Sequence, residues 1–432
     1  MNEIKNISID RRGFLGSAAA GALVLSVGFP QIVGRALAEE ETENVLNAFV
    51  VIEPNGQVIM HSPFVEMGQG VHTAIPMIIA EELDVGLEQI TLKEAPLSSV
   101  YRMHWGGRAR FTGSSLTIKS SFLPLRRAGA SARVMLIQAA AKKWGISLDR
   151  LHTNEGRVID PDNGRSISFG DLAAEAADIP PPQDVKLKDE SKFTLIGKSA
   201  DRLDVIEKSN GSAIFGIDVS FPDMLVATVR QSPMFGGAVR SINKESVLGM
   251  PGVVGVEIIP NGTLALGKYI FVNPDNEVID PLGTVAIVAD NFWHAKKALD
   301  KLDIEYEENY SKTPSGEEYT RRLKRLVLEK GIPVKETGDV DSSLASAAHR
   351  LEAVYDVPNL AHMVMEPMNC TTLFKNGRCK IWTGSQNAEW VAVIASKILG
   401  LPIDNVDVVT PYLGGGFGRR TNMDYVVQSV FL

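Results

Sequence analysis

Residues 383–421 read TGSQNAEWVAVIASKILGLPIDNVDVVTPYLGGGFGRRT, and their pattern decides the fold. Apolar residues in 387–400 recur at helical spacing and stop at a glycine, which predicts a helix. NVDVVT (405–410) reads as a strand, and the segment after Arg420 starts a second helix. Upstream, CTTLFKNGRCKIWTG (370–384) reads as a hairpin turning at Asn376-Gly377. Between the last strand and the last helix lies Gly414-Gly415-Gly416-Phe417-Gly418-Arg419-Arg420. Such a loop at a helix start offers backbone N–H groups and the positive end of the helix dipole. Glycine lets a ligand approach closely and tolerates positive φ. Arg419 and Arg420 would add charge-assisted donors.

Gln386 sits after a strand and just before a helix. Its neutral amide is suited to donate to an oxo group or to accept from a ligand. The plainer alternative is a solvent-exposed neighbour of the helix N-cap. A second glycine turn, Met67-Gly68-Gln69-Gly70, feeds a helix whose Ile75, Ile78, Ile79 and Leu83 share one face. Together the two loops could grip an elongated anion such as a pyrophosphate; singly, each reads equally well as a tight turn. Neither matches G-x-G-x-x-G with its downstream acid, nor a P-loop. His362 with Glu366, and Tyr101–Arg110 with His104 and Trp105, are weaker clusters. The first pair reads mainly as satisfied loop residues, and the second as a pocket wall or a packed surface loop.

The 432 residues allow two to four domains. A formal charge of −8, with scattered Lys and Arg, argues against a nucleic-acid surface. The N-terminus carries Arg11-Arg12-Gly13-Phe14-Leu15, an apolar run over 16–28, and Ala36-Leu37-Ala38. That order predicts a twin-arginine leader over 1–38, the plainer alternative being a short amphipathic or anchoring helix; the leader implies a periplasmic protein exported folded, as such proteins often are with a cofactor already inserted. Past the leader no run of about 20 uncharged apolar residues predicts a membrane span. Two cysteines, Cys370 and Cys379, cannot by themselves build a four-cysteine zinc site or an iron–sulfur cluster. The hairpin register sets Cys379 opposite Phe374 and leaves the sulfurs roughly 13 Å apart, so both thiols are expected free.

Along the chain, LNAFVVIEPNGQVIM (46–60) predicts a hairpin and 125–144 an Ala-rich helix ending at Gly145. DIPPPQDVKLKDESK (178–192) reads as a linker. Strands are expected at 213–219, 224–232, 253–259, 284–290, 303–307 and 352–357, with a helix capped by Asn291. The class is α+β, in several domains.

Ser385-Gln386, then helix, strand and GGGFG, with Phe417 following Gln386 by 31 positions, resembles the xanthine oxidase / aldehyde oxidase family of molybdenum hydroxylases. Glu66-Met67-Gly68-Gln69-Gly70-Val71-His72-Thr73 is similar to a second cofactor loop of that family. Residues 200–310, with GSAIFGIDVSFPDML and MPGVVGVEII, resemble its α/β-hammerhead domain. The MGQG-type loop precedes GGGFG here, a permuted order similar to the branch of isoquinoline 1-oxidoreductases and periplasm-facing aldehyde dehydrogenases. The resemblance implies parts of the molybdopterin-binding region at 39–180 and 335–432, with a linker at 181–199 between the first part and the hammerhead domain. It implies a molybdenum–pterin cofactor, in bacteria usually the cytosine dinucleotide form. Gln386 would contact an oxo ligand on the metal. Gly415, Gly416, Phe417, Gly418 and Arg419 would lie beside it, and Gly68, Gln69 and Gly70 would hold the pterin or its phosphates. The implied partners are an iron–sulfur small subunit and a downstream cytochrome. The implied reaction is hydroxylation of an N-heterocycle or oxidation of an aldehyde, with water as oxygen source. Arg419, Arg420 and Thr421 stand where purine-oxidising members carry a Glu, which speaks against xanthine. The family's general base lies in a far C-terminal part, and chains of this branch are nearly twice this length. No catalytic base or protein metal ligand is therefore nominated, and Glu366 is passed over. The alternative is an exported, non-catalytic binding or assembly protein on the same fold, or an inactive fragment.

Overall fold

The computed structural model describes residues 23–26, 48–103, 110–182, 184–233, 237–259, 283–307 and 315–432. Arg11-Arg12, the A-x-A at 36–38, His104 and Trp105 lie outside them. The chain forms two compact units, Met1–Phe221 with Val364–Leu432, and Pro222–Met363.

In the first unit, β1 (Leu23–Ser26), β2 (Ala48–Ile52) and β3 (Val58–Ser62) run antiparallel in sequence. The expected β2–β3 hairpin turns where Asn55 Oδ1 accepts from Gln57 N at 2.9 Å. The chain then crosses through α1 (Val71–Leu83) to β4 (Ile90–Glu94), which pairs parallel with β3. Ile75, Ile79 and Leu83 on α1 are fully buried, each contributing about 1.5–3 kcal/mol. They face α2 (Thr117–Trp144), where Gly129 allows a close approach: a Cβ there would stand 2.8 Å from the Ile79 carbonyl oxygen. This helix begins earlier than the sequence suggested, with Pro124 inside it. A small sheet, β5 (His152–Asn154), β6 (Arg157–Asp160) and β7 (Arg165–Ser168), and α3 (Phe169–Ala177) complete this core.

The predicted linker is no free tether. Glu82 on α1 accepts from Lys188 N at 3.0 Å, and Glu81 accepts from Leu195 N at 2.7 Å and Ile196 N at 3.0 Å. After it comes α4 (Val205–Asn210). The strand expected at 213–219 is instead a 3-10 turn at Gly216–Asp218, with only Phe215 bridging to Tyr412. Asp218 Oδ2 takes the Phe215 N–H at 2.9 Å, which turns the chain where a strand would run straight.

The second unit holds β8 (Val226–Gln231), β9 (Val239–Ile242), α5 (Glu245–Leu248), β10 (Val253–Ile259), β11 (Thr284–Ala289), α6 (Phe292–Lys301) and β12 (Ile304–Tyr306). Its antiparallel sheet has order β10-β11-β8, and β12 pairs with β9. Asn291 caps α6 as expected, accepting from His294 N at 2.9 Å. Ala295, Ala298 and Leu299 of α6 close the core over Val285 and Ile287. Two further helices follow, α7 (Gly316–Leu326) and α8 (Val340–Ser346). No strand forms at 352–357, where Val354, Tyr355 and Val357 are exposed; a strand needs a partner for its ladder, and none is found among the described residues.

The chain returns to the first unit through β13 (Thr371–Lys375) and β14 (Arg378–Trp382), the expected hairpin with Phe374 opposite Cys379. Both cysteines are free. From β14, α9 (Ala388–Leu399) crosses over to β15 (Val406–Val409), parallel to β14, and α10 (Asp424–Phe431) follows the glycine loop. Among the described residues no helix is long and apolar enough to cross a membrane.

Candidate functional site

The site lies where parallel strands end. Trp382 and Val409 are paired at the carboxyl ends of β14 and β15, so Gln386 and the loop Gly414–Arg420 leave the sheet side by side. The MGQG loop likewise leaves the carboxyl end of β3. Ligands of α/β sheets bind outside strand ends of this kind. The two sheet ends are tied together at Glu94, which closes β4 and accepts from Thr410 N at 3.1 Å and Thr410 Oγ1 at 2.8 Å.

Gln386 is buried, not the solvent-exposed neighbour of a cap. Asn387 is the cap, its Oδ1 accepting from Trp390 N at 3.0 Å. Gln386 Nε2 donates to Thr112 O at 2.7 Å, and Thr112 N donates to Gln386 O at 2.8 Å. That fixes which end of the amide is oxygen. Gln386 Oε1 is left buried with no partner. A Cβ built on Gly416 would meet that oxygen at 3.1 Å and Met67 Sδ at 2.2 Å. Gln386, Gly416 and Met67 therefore converge, which brings together Gln386 and the two glycine loops.

The two glycine loops differ in what their N–H groups do. In the MGQG loop the sequence suggested free donors. The structure corrects this: the buried Glu66 carboxylate accepts from Gly68 N at 2.8 Å, Gly70 N at 3.0 Å and His72 N at 3.0 Å. Gln69 is engaged too, its Oε1 accepting from Met67 N at 2.8 Å and its Nε2 donating to Val65 O at 3.0 Å. Burial pushes the Glu66 carboxyl up, but the three backbone donors and Lys208 outweigh it and hold it below the usual range. Arg202 Nη2 also reaches Glu66, at 3.1 Å, and pairs with Asp204 at 2.7 Å. What the loop leaves open is space: nothing lies within 4 Å of a Cβ on Gly68.

In the GGGFG loop Gly414 N is engaged by Glu366 at 2.9 Å. Among the described residues nothing accepts from the N–H of Gly415, Gly416, Phe417 or Gly418. Gly415, Phe417 and Gly418 all have positive φ, and Phe417 is a non-glycine held there with its ring 65% exposed. Consecutive amides in such conformations form a concave anion nest, and a strained exposed aromatic is common at ligand sites.

The arginines after the loop are not free donors, a second correction. Arg419 pairs with Asp424 through two hydrogen bonds of 2.8 and 2.7 Å. Arg420 is fully buried: Nε donates to Gly415 O at 2.8 Å, Nη1 to Gly384 O at 3.1 Å, and Nη2 to Glu366 Oε2 at 2.7 Å. Glu366 also accepts from Asn369 Nδ2 at 2.8 Å and Ile217 N at 3.1 Å, so it is a satisfied structural carboxylate. His362 is exposed and lies in the other unit. No cluster of three or more His, Cys, Asp or Glu side chains able to hold a metal occurs among the described residues.

Sequence reasoning missed Thr112 and Arg202, and placed Glu66 in the cofactor-like loop without seeing that it binds the loop's N–H groups. Glu66 had a local signal, an acid just before Gly-x-Gly at a helix start; Thr112 and Arg202 reach the site only through tertiary contacts.

Two glycine loops, one with an open amide nest, and an orphaned buried amide oxygen beside them define a site for an extended, partly anionic cofactor. The chain belongs to the molybdopterin cofactor-binding domain family. One model of that family matches residues 20–246, and a second, also described as a molybdopterin cofactor-binding domain, matches 326–431. Among curated relatives, the beta subunit of the isoquinoline 1-oxidoreductase of Brevundimonas diminuta is 29% identical over 99% of this chain and 58% of its own length. A membrane-bound aldehyde dehydrogenase (pyrroloquinoline-quinone) of Gluconacetobacter polyoxogenes is 26% identical over 98% of this chain and 53% of its own length. A nicotinate dehydrogenase chain of Pseudomonas putida is 26% identical over 93% of this chain and 32% of its own length. The chain thus spans little more than half the length of these relatives, or less. Of solved structures, the aldehyde oxidoreductase of Desulfovibrio gigas is similar at 20% identity and TM-score 0.40, over 61% of this chain and 32% of that one.

Proposed function

We propose that this chain is the cofactor-gripping part of a molybdenum–pterin oxidoreductase large subunit that hydroxylates an N-heterocycle or oxidises an aldehyde. The observation that carries the reading is Gln386 Oε1, buried without a partner against Gly416. A buried acceptor left unmet costs about 1–3 kcal/mol, so a ligand donor is expected there. The residues fit the group, with one correction to the sequence reading: Nε2 is spent on Thr112 O, so Gln386 presents an acceptor and meets a donor of the cofactor, not an oxo ligand. Gly415 to Gly418 offer amide donors to its anionic atoms, the exposed Phe417 ring offers a face to pack on it, and Gly68, Gln69 and Gly70 contribute open space rather than N–H groups. Arg419 acts one step removed, holding Asp424 at the start of α10.

When bound, the group supplies oxygen transfer from water and a two-electron sink. The chain's own contribution is orientation: Thr112 fixes the Gln386 amide, and Glu66 and Glu366 hold the two loops. Each of those carboxylates already accepts at least four hydrogen bonds, so neither is assigned as a base. We further propose the cytosine dinucleotide form, a hammerhead-type second unit, permuted domain order, an iron–sulfur small subunit with a downstream cytochrome as partners, and twin-arginine export to the periplasm. Hydroxylation of an N-heterocycle by the assembled enzyme in ¹⁸O-labelled water is the test. Label in the product is expected; unlabelled product overturns the reading.

A further inference from the structure

We infer that the buried Arg420–Glu366 ion pair is a positioning pair that sets the Gln386 amide against the open amides of Gly415 to Gly418. This rests on the cofactor reading above.

The guanidinium of Arg420 connects three stretches of chain. One is the loop, through Gly415 O; the second is the strand exit, through Gly384 O, two residues before Gln386; the third is Glu366, through both its carboxylate at 2.7 Å and its carbonyl at 2.9 Å. The main chain of Arg420 joins the same set, its carbonyl accepting from Gln386 N at 3.1 Å. From the other side Glu366 fixes the loop entrance: Gly414 N donates to its carboxylate at 2.9 Å, and Glu366 N donates to Gly414 O at 3.1 Å. The fork thus holds the chain one residue before Gly416 and two before Gln386, the residues that face the proposed ligand, and the Arg420 carbonyl holds Gln386 N directly.

Burying two charges costs several kcal/mol per ion, and an apolar pair of similar volume often stabilises a fold as well. Packing alone therefore does not call for this pair. A fork does what packing cannot: its donors point at fixed angles to separate carbonyls. Lysine keeps the charge but offers a single ammonium that cannot reach Gly415 O, Gly384 O and Glu366 together.

The test compares the full chain with Arg420→Lys, Asn369→Ala and, as a surface control, Arg378→Lys, all produced where the cofactor is made. Read-outs are molybdenum and pterin per chain, the rate of pterin loss followed by fluorescence, and Tm. A wild-type chain without molybdenum or pterin overturns the parent reading, and this inference with it. If wild type is loaded, Arg420→Lys should hold the cofactor about 10–100-fold less tightly, the range for groups that orient a metal's ligands, with Arg378→Lys unchanged. Wild-type retention in Arg420→Lys overturns the inference while leaving the parent reading intact. Should Arg420→Lys fail to fold, Asn369→Ala decides: it removes one donor to Glu366 and leaves Arg420 in place. Faster pterin loss in Asn369→Ala at an unchanged Tm supports a positioning role, and wild-type retention there overturns it.

Discussion

Gln386 and Thr112 close a reciprocal pair of hydrogen bonds across 274 residues of sequence, side chain to carbonyl at 2.7 Å and N–H to carbonyl at 2.8 Å. Only the first of the two involves the side chain. Gln386→Glu therefore sets an acceptor against the buried Thr112 O in place of its donor, while keeping the unmet Oε1 and the backbone contact. Stability should fall by about 1–3 kcal/mol, measured by urea unfolding of the cofactor-free chain. A change within experimental scatter would show that the amide is not anchored by Thr112.

The glycines of the central loop should not be equivalent. A Cβ on Gly414 would stand 2.3 Å from Glu366 Cβ and 3.1 Å from its backbone N, atoms with nowhere to go. On Gly416 the nearest atom is Met67 Sδ at 2.2 Å, the end of a flexible side chain. Gly414→Ala should lose stability at the upper end of the usual overpacking cost of about 1–3 kcal/mol, and Gly416→Ala at the lower end. Gly416→Ala should still lower cofactor content, because it moves Met67 and crowds Gln386 Oε1. Equal unfolding midpoints for the two variants would contradict this packing.

Glu66 gives a pH dependence with a definite sign. Its carboxyl is held below the ordinary glutamate value, so the stability it contributes is present above about pH 4.3 and is lost as pH falls through the lower folded value. Glu66→Gln should be less stable than wild type at pH 7, and the gap should narrow as pH falls from about 5 to below 4. Unfolding curves at several pH values check it; a gap that widens on acidification would reverse the sign.

Much of this fold could be read in the sequence because the signals were local. The Asn376-Gly377 hairpin, the Asn291 cap and the apolar stripe of α1 each follow from a few neighbouring residues, and the structure shows all three. Expectations failed where a distant partner decided the outcome. The stretch 213–219 had strand composition, but the Asp218 carboxylate and the approach to Glu366 bent it. Arg419 and Arg420 had the composition of anion binders, yet Asp424 lies one helical turn on and Glu366 lies 54 positions back. The free N–H groups assigned to MGQG were lost to Glu66, a residue already in view whose side-chain direction the sequence does not state.

The thiols give a separate check on the last sheet. Burial raises both Cys370 and Cys379 to about 11, so each is a protonated thiol at neutral pH. In the folded chain both should react slowly with a disulfide reagent, and after denaturation without reductant two thiols per chain should titrate. Finding none after denaturation would mean that the Phe374–Cys379 register is wrong.

Metal analysis reads out whether this chain's own residues hold a molybdenum–pterin group. The chain, purified folded from a host that makes the cofactor, should carry molybdenum and a pterin in equal amounts, approaching one per chain. Folded protein with neither contradicts the account.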